Sequence, residues 1–390
     1  MDKFLLLLET RMTNKRKLYV INSPCYVENH PSHTSGQILI EDPLSEHYTY
    51  FYYNLIIHDL VDEVVIFPRE GKHDAYREEI QQKINVSEGK SIQLNWERQK
   101  MYDIINSDPG SYVYSWGKFE DCEKIKKSFV IVNPVVIATN SNNCLSTKIH
   151  DFALLEGLNH EKAFKLLPKD MPFSVFPTTS KRFTDLNVQD IQDVKKNYDW
   201  IIVSSTDPRK RHIEFLNAIQ KNPKFKNTKG CIAARNPDNK GHIHSGHYVL
   251  QHIIEKYVNG TKNIDLFINT NNDLKINLLS KSKIFVCTSV FDFGPRAVIE
   301  AIQSGLPILT MPHIGASTWV YPEKNGELIQ DIDECTDIFF TMLEKYDRGQ
   351  YFQHCKNVAE EIKPDRIFPE IVDQIKKLHN KKFKHNENIF

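Results

Sequence analysis

Asp292 and Glu300 stand eight residues apart on either side of a loop-to-helix junction, and the residues between them suit that junction to holding an anion. An apolar strand, Ile284-Phe285-Val286-Cys287, runs into a loop carrying Asp292, Phe293 and Gly294. Pro295 fits the first helical position, where its missing N–H costs nothing and its fixed φ is already helical. The first turn then offers unpaired backbone N–H groups at the positive end of the helix dipole, a ready site for a phosphate or carboxylate. Gly294 lacks a Cβ, so a ligand can approach that backbone closely. Ala297, Val298, Ala301 and Ile302 make one apolar stripe. Arg296, Glu300 and Gln303 take the opposite face at i, i+4 and i+7, and Arg296 is placed either to contact a phosphate or to pair with Glu300. The plainest alternative is a surface helix with an Arg–Glu pair and no ligand.

A Gly305-Leu306-Pro307 break leads from this helix into Ile308-Leu309, which completes a strand-loop-helix-strand unit of a parallel sheet. Similar units recur through the chain. Trp200–Val203, Cys231–Ala234 and Ile264–Phe267 read as further strands in the second half, separated by helical stretches such as His212–Gln220 and Tyr248–Tyr257. In the first half, Leu18–Ile21, Glu63–Phe67, Tyr112–Tyr114 and Phe129–Val132 alternate with helical patterns at Thr49–Val61 and Arg98–Ile105. Strands alternating with helices predict an α/β protein with two doubly wound parallel sheets. Pro172–Pro177 reads as the last strand of the first domain, and Thr178–Lys181 as the crossing to the second.

A chain of 390 residues is too long for one ordinary core and predicts two domains. Lys plus Arg and Asp plus Glu number 50 each, so no global field favours nucleic acid or an anionic membrane. The run Phe4-Leu5-Leu6-Leu7-Leu8 is too short to span a membrane. Seven cysteines without a C-x-x-C pair fit a reducing compartment, so a soluble, cytoplasmic protein is expected. The Lys376 to Lys384 basic run reads as a frayed, solvated end.

Residues 198 to 345 resemble the nucleotide-sugar domain of retaining glycosyltransferases of family 4. The first matching segment is Asp292-Phe293-Gly294…Glu300-Ala301…Ser304-Gly305-Leu306-Pro307, with aspartate at the family's first glutamate. The second is Ser204-Ser205-Thr206-Asp207-Pro208-Arg209-Lys210-Arg211-His212, where Lys210 aligns with the family lysine and Ser205 stands in place of an arginine. Asn272-Asp273-Leu274…Lys283-Ile284-Phe285-Val286 and Tyr321 to Ile329 complete an ordered set.

The resemblance implies a GT-B fold, two Rossmann-like domains facing across a cleft. Residues 1–180 would bind the acceptor and residues 181–350 the nucleotide sugar. Helices over 351–390 would return to the first domain and end in a basic tail. It further implies transfer of a sugar from a nucleoside diphosphate to a hydroxyl acceptor with retention of configuration, with no metal and no cofactor beyond the nucleotide-sugar co-substrate. The acceptor would be a glycan, a lipid-linked glycan or a protein. Lys210, helped by Arg209 or Arg211, would stabilise charge on the departing diphosphate, and Glu300 would receive the ribose hydroxyls. Asp292 and the N–H groups around Phe293 and Gly294 would hold the donor sugar, with Pro295 lining the same loop. Gly36 and His150 are placed near the donor sugar by position in the first domain, although a structural role for His150 competes. His242, His244 and His247 are spaced as zinc ligands would be, but no cysteine or carboxylate adjoins them, which favours a polar loop. The competing functions are a catalytically silent sugar-nucleotide or glycan-binding protein and a sugar-nucleotide epimerase of the same fold.

Overall fold

In a computed structural model, residues 15–23, 46–68, 92–95, 97–116, 120–133, 147–156, 167–235, 243–261, 263–289, 292, 296–312 and 315–384 are described. Strands β1 (Lys17–Ser23), β2 (Glu63–Pro68), β3 (Ile92–Leu94), β4 (Tyr112–Trp116), β5 (Phe129–Asn133), β6 (Phe152–Leu155) and β7 (Phe173–Val175) form one sheet, ordered β3-β2-β1-β4-β5-β6-β7. A second sheet contains β8 (Tyr198–Ser205), β9 (Gly230–Arg235), β10 (Ile264–Ile268), β11 (Ser282–Cys287), β12 (Ile308–Thr310) and β13 (Gly326–Leu328), ordered β10-β9-β8-β11-β12-β13. The named strands pair in parallel throughout. Both sheets are therefore doubly wound. Each reverses direction beside its first strand, between β1 and β4 and between β8 and β11, and such a switch point opens a crevice at the carboxyl ends of the strands.

The strand sequences explain the arrangement. Phe129-Val130-Ile131-Val132-Asn133 is buried along its whole length, as a parallel strand covered on both faces must be. One apolar cluster fills the first domain on each side of its sheet, and a third fills the second domain.

In the first domain, helices α1 (Glu46–Ile57) and α2 (Met101–Asn106) cover the sheet. The connection to the second domain carries α3 (Lys181–Thr184) and α4 (Val188–Asp193). The second domain adds α5 (His212–Gln220), α6 (Ile243–His252, running on through a π-helical segment Ile253–Val258), α7 (Asn272–Ser280) and α8 (Arg296–Gln303). Three helices close the chain: α9 (Cys335–Asp347), α10 (Phe352–Glu361) and α11 (Pro364–Lys384).

Two features refine or correct the sequence reading. Helix α8 buries its polar face as well as its apolar stripe, because the connecting segment lies against it. Thr179 donates its hydroxyl hydrogen bond to Gln303, and both residues are buried. Gly305 ends the helix with a left-handed φ of 72° and lies so close to α4 that a Cβ there would stand 2.4 Å from Val188 Cγ1. The basic run at the chain end is also not frayed. Phe368, Ile371, Val372 and Ile375 of α11 enter the core of the first domain. Further along, the His379 ring sits 2.7 Å from the Gly110 carbonyl, and Lys382 pairs with Asp151 at 2.7 Å.

Candidate active site

β8 delivers the chain to the switch point of the second sheet, and a short turn there sets out its cations. The Asp207 side chain accepts from the Arg209 backbone N–H at 2.9 Å and caps a single 3-10 turn, Pro208–Lys210. Arg211 then takes a left-handed φ of 56° and redirects the chain into α5. Arg209 folds back onto Asp207, its guanidinium 2.7 Å from the carboxylate. Lys210 instead turns inward and forms an ion pair with Asp292, which follows β11 on the other side of the switch point. The Thr288 hydroxyl donates to the Lys210 carbonyl at 3.0 Å and ties the same two loops together. Burial opposes the charged amine of Lys210, but the adjacent Asp292 carboxylate outweighs it and holds its pKa above the ordinary lysine value.

Behind this turn sits His212, fully buried at the start of α5. Its Nε2 lies 2.9 Å from the Ser205 carbonyl and 3.0 Å from the Ser204 hydroxyl. Burial pushes its pKa down to about 4, so the ring is neutral and braces the loop.

Glu300 is 1% exposed, one turn into α8 from Arg296. Lys275 of α7 reaches both of its oxygens at 2.8 Å and stands over the Phe183 ring at 5.1 Å. Nothing in its own segment singles out Lys275, because an isolated lysine in a helix reads as a solvated side chain. Phe293, Gly294, Pro295 and Gly36 lie outside the described residues. His150 precedes β6, at the amino end of its strand, whereas Lys210 and Asp292 stand at carboxyl ends; the structure does not bring it to them.

The first domain supplies a group that the sequence analysis missed. Glu156 follows β6 directly and is 8% exposed. Asn133, the last residue of β5, donates to it at 3.4 Å and to the Tyr114 hydroxyl at 3.1 Å. Burial raises the Glu156 pKa to about 7; Arg296 opposes the rise and Asp292 adds to it. Residues from the two domains thus act on one another electrostatically at the carboxyl ends of both sheets. Among the described residues no three His, Cys, Asp or Glu side chains are grouped as metal ligands would be, and no helix is long and apolar enough to cross a membrane.

Residues 184–337 match the family model described as "Glycosyl transferases group 1". No curated protein matches the chain by sequence. The whole structure is similar to AviGT4, a glycosyltransferase involved in avilamycin A biosynthesis, with a TM-score of 0.59 at 13% identity over 94% of this chain and 98% of that one. It is similar to HepE of Anabaena in complex with UDP-glucose, with a TM-score of 0.57 at 11% identity over 93% of this chain and 99% of that one. Sucrose-phosphate synthase from Thermosynechococcus elongatus gives a TM-score of 0.60 at 13% identity over 95% of this chain and 100% of that one. At such identities the likeness is one of fold. Residues 184–337 are thus similar to glycosyl transferases group 1, and the whole chain has the GT-B architecture of these neighbours.

Proposed function

We propose that this protein transfers a sugar from a nucleoside diphosphate to a hydroxyl acceptor, with retention of anomeric configuration. The observation that carries the reading is the Lys210–Asp292 pair at the switch point, beside the first turn of α8. Transfer expels a diphosphate, and charge grows on its oxygens as the bond to the anomeric carbon breaks. A half-buried ammonium fixed in place before the reaction stabilises that charge without reorganisation. The first turn of α8 and Arg296 extend the same anion site.

Asp292 then receives hydroxyls of the donor sugar, and Glu300 those of the ribose. A carboxylate offers about four lone-pair sites. Glu300 can therefore keep Lys275 as an orienting partner while accepting a ribose hydroxyl. The acceptor hydroxyl enters from the side of the first domain and attacks on the face that the diphosphate leaves, which preserves the configuration. The UDP-glucose complex of HepE, a protein of the same fold, supports a nucleotide-sugar donor.

Asp292 and Ser205, where the family it resembles has glutamate and arginine, favour one competitor, a protein that binds a sugar nucleotide without turning it over. Incubation with UDP-, GDP- and ADP-sugars separates the two. Release of nucleotide with transfer of sugar supports the enzyme, and an α-linked product from an α-linked donor supports retention. Thermal protection without nucleotide release would leave only the binder.

A further inference from the structure

Lys275 grips Glu300 at two points. Its Nζ lies 2.8 Å from each carboxylate oxygen, so it sets the rotation of the carboxylate about its last bond as well as balancing its charge. A lysine stem is flexible and its ammonium strongly hydrated, and this side chain is 14% exposed, with water in reach. On the inner side the ammonium meets an aromatic face. Nζ stands 5.1 Å from the centroid of the Phe183 ring, inside the range at which a cation is drawn to it. Phe183 is fully buried and belongs to neither sheet. It lies in α3, on the segment that crosses between the domains, and that segment is fastened to both helices of the ion pair. Arg182 pairs with Asp273 of α7 at 2.7 Å, two residues before Lys275. Thr179 donates to Gln303 of α8, one turn beyond Glu300. Toward the first domain, the Thr184 hydroxyl lies 2.9 Å from the Tyr50 hydroxyl of α1. Ring, ammonium and carboxylate thus come from three elements and meet in one chain of contacts.

We propose that Phe183 is a positioning residue of the donor site: its ring holds the Lys275 ammonium astride Glu300 and so aims the carboxylate at the ribose hydroxyls. The inference rests on the nucleotide-sugar reading, which gives the ribose to Glu300. A carboxylate has about four lone-pair sites, and Lys275 takes one on each oxygen. The directions in which hydroxyls are received are therefore set by where the ammonium stands. Without the ring, Lys275 turns toward water or slides onto a single oxygen, and the carboxylate rotates with it. The ribose then loses hydrogen bonds, while the parts of the donor that do not touch Glu300 are recognised as before.

Titration calorimetry of the full chain tests this with UDP-glucose, GDP-mannose and ADP-glucose, each beside its 2′-deoxyribose counterpart. Loss of a hydrogen bond to a carboxylate is expected to weaken wild-type binding of the deoxy form by about tenfold or more. Phe183→Leu keeps an apolar side chain but no ring. It is expected to shrink that preference by about threefold to tenfold, through weaker binding of the ribose form. Lys275→Met is expected to shrink it as well. The double variant is expected to match Lys275→Met, because the ring acts through the ammonium. A loss of packing alone would weaken both donor forms alike and would add to the effect of Lys275→Met. If Phe183→Leu folds poorly, Phe183→Met takes its place. A preference unchanged in the folded Phe183 variant, or lowered equally with and without Lys275, overturns the proposal and leaves the nucleotide-sugar reading standing. Failure of all three ribose donors to bind overturns both.

Discussion

Lys210 and Asp292 close an ion pair across the switch point of the second sheet, joining loops whose residues stand 82 positions apart in the chain. Lys210→Ala removes the cation placed to meet the leaving group. Its turnover is expected to fall by about 10²–10³, the usual loss for one preorganised charge-stabilising donor. Nucleotide release and a melting curve measured together check it. A folded Lys210→Ala protein with wild-type turnover would falsify the assignment.

Glu300 presents a different test, because it is buried and paired with a partly exposed lysine. Lys275→Met leaves the buried Glu300 carboxylate without its ammonium. A loss of roughly 3–5 kcal/mol is expected for such a broken pair. The double variant Lys275→Met/Glu300→Gln removes both charges and should recover much of that stability, while donor binding stays weak because the ribose hydroxyls lose their charged carboxylate. Urea unfolding gives the first quantity and donor titration the second. A double variant no more stable than Lys275→Met would show that the pair is not the source of the loss.

His212 predicts a pH dependence of stability. Its folded-state pKa lies at about 4, below the ordinary 6.5, because burial disfavours the charged ring. The unfolded chain binds the additional proton between those values. The contribution is fully present above about pH 6.5 and lost as pH falls toward 4, amounting to roughly 3 kcal/mol. His212→Gln should flatten that part of the stability curve relative to wild type. Equal slopes in the two proteins between pH 6.5 and 4 would rule out His212 as the source.

Gly305→Ala is expected to cost about 2–4 kcal/mol, combining a left-handed backbone for a residue with a Cβ and a steric overlap with Val188. Val188→Ala in the same background should relieve the overlap but not the backbone term. Chemical unfolding of the three variants distinguishes them. An unaffected Gly305→Ala midpoint would mean that α4 moves away freely.

The longer strands and the acid–loop–helix junction were legible because their signals are local. β-branched runs mark β8 and β11, and Asp292, Gly294, Pro295 and Glu300 fall within nine consecutive residues. Glu156 was not legible. Phe152-Ala153-Leu154-Leu155-Glu156 reads equally well as part of a helix, and only the pairing of β6 between β5 and β7 turns its last residue toward the second domain. Lys275 escaped for a related reason, since its value comes from a carboxylate on another helix. Nothing in the sequence of α8 itself announces that Thr179 will cover part of its polar face.

The placement of α11 has a consequence for how the molecule is made. The core of the first domain includes Phe368, Ile371, Val372 and Ile375, which a ribosome adds only after the whole second sheet has been synthesised. The first domain therefore cannot finish folding in order of synthesis, as domains generally do. Until α11 emerges, the apolar groove that receives it stays open, and the nascent chain carries an incomplete first domain through the entire translation of the second.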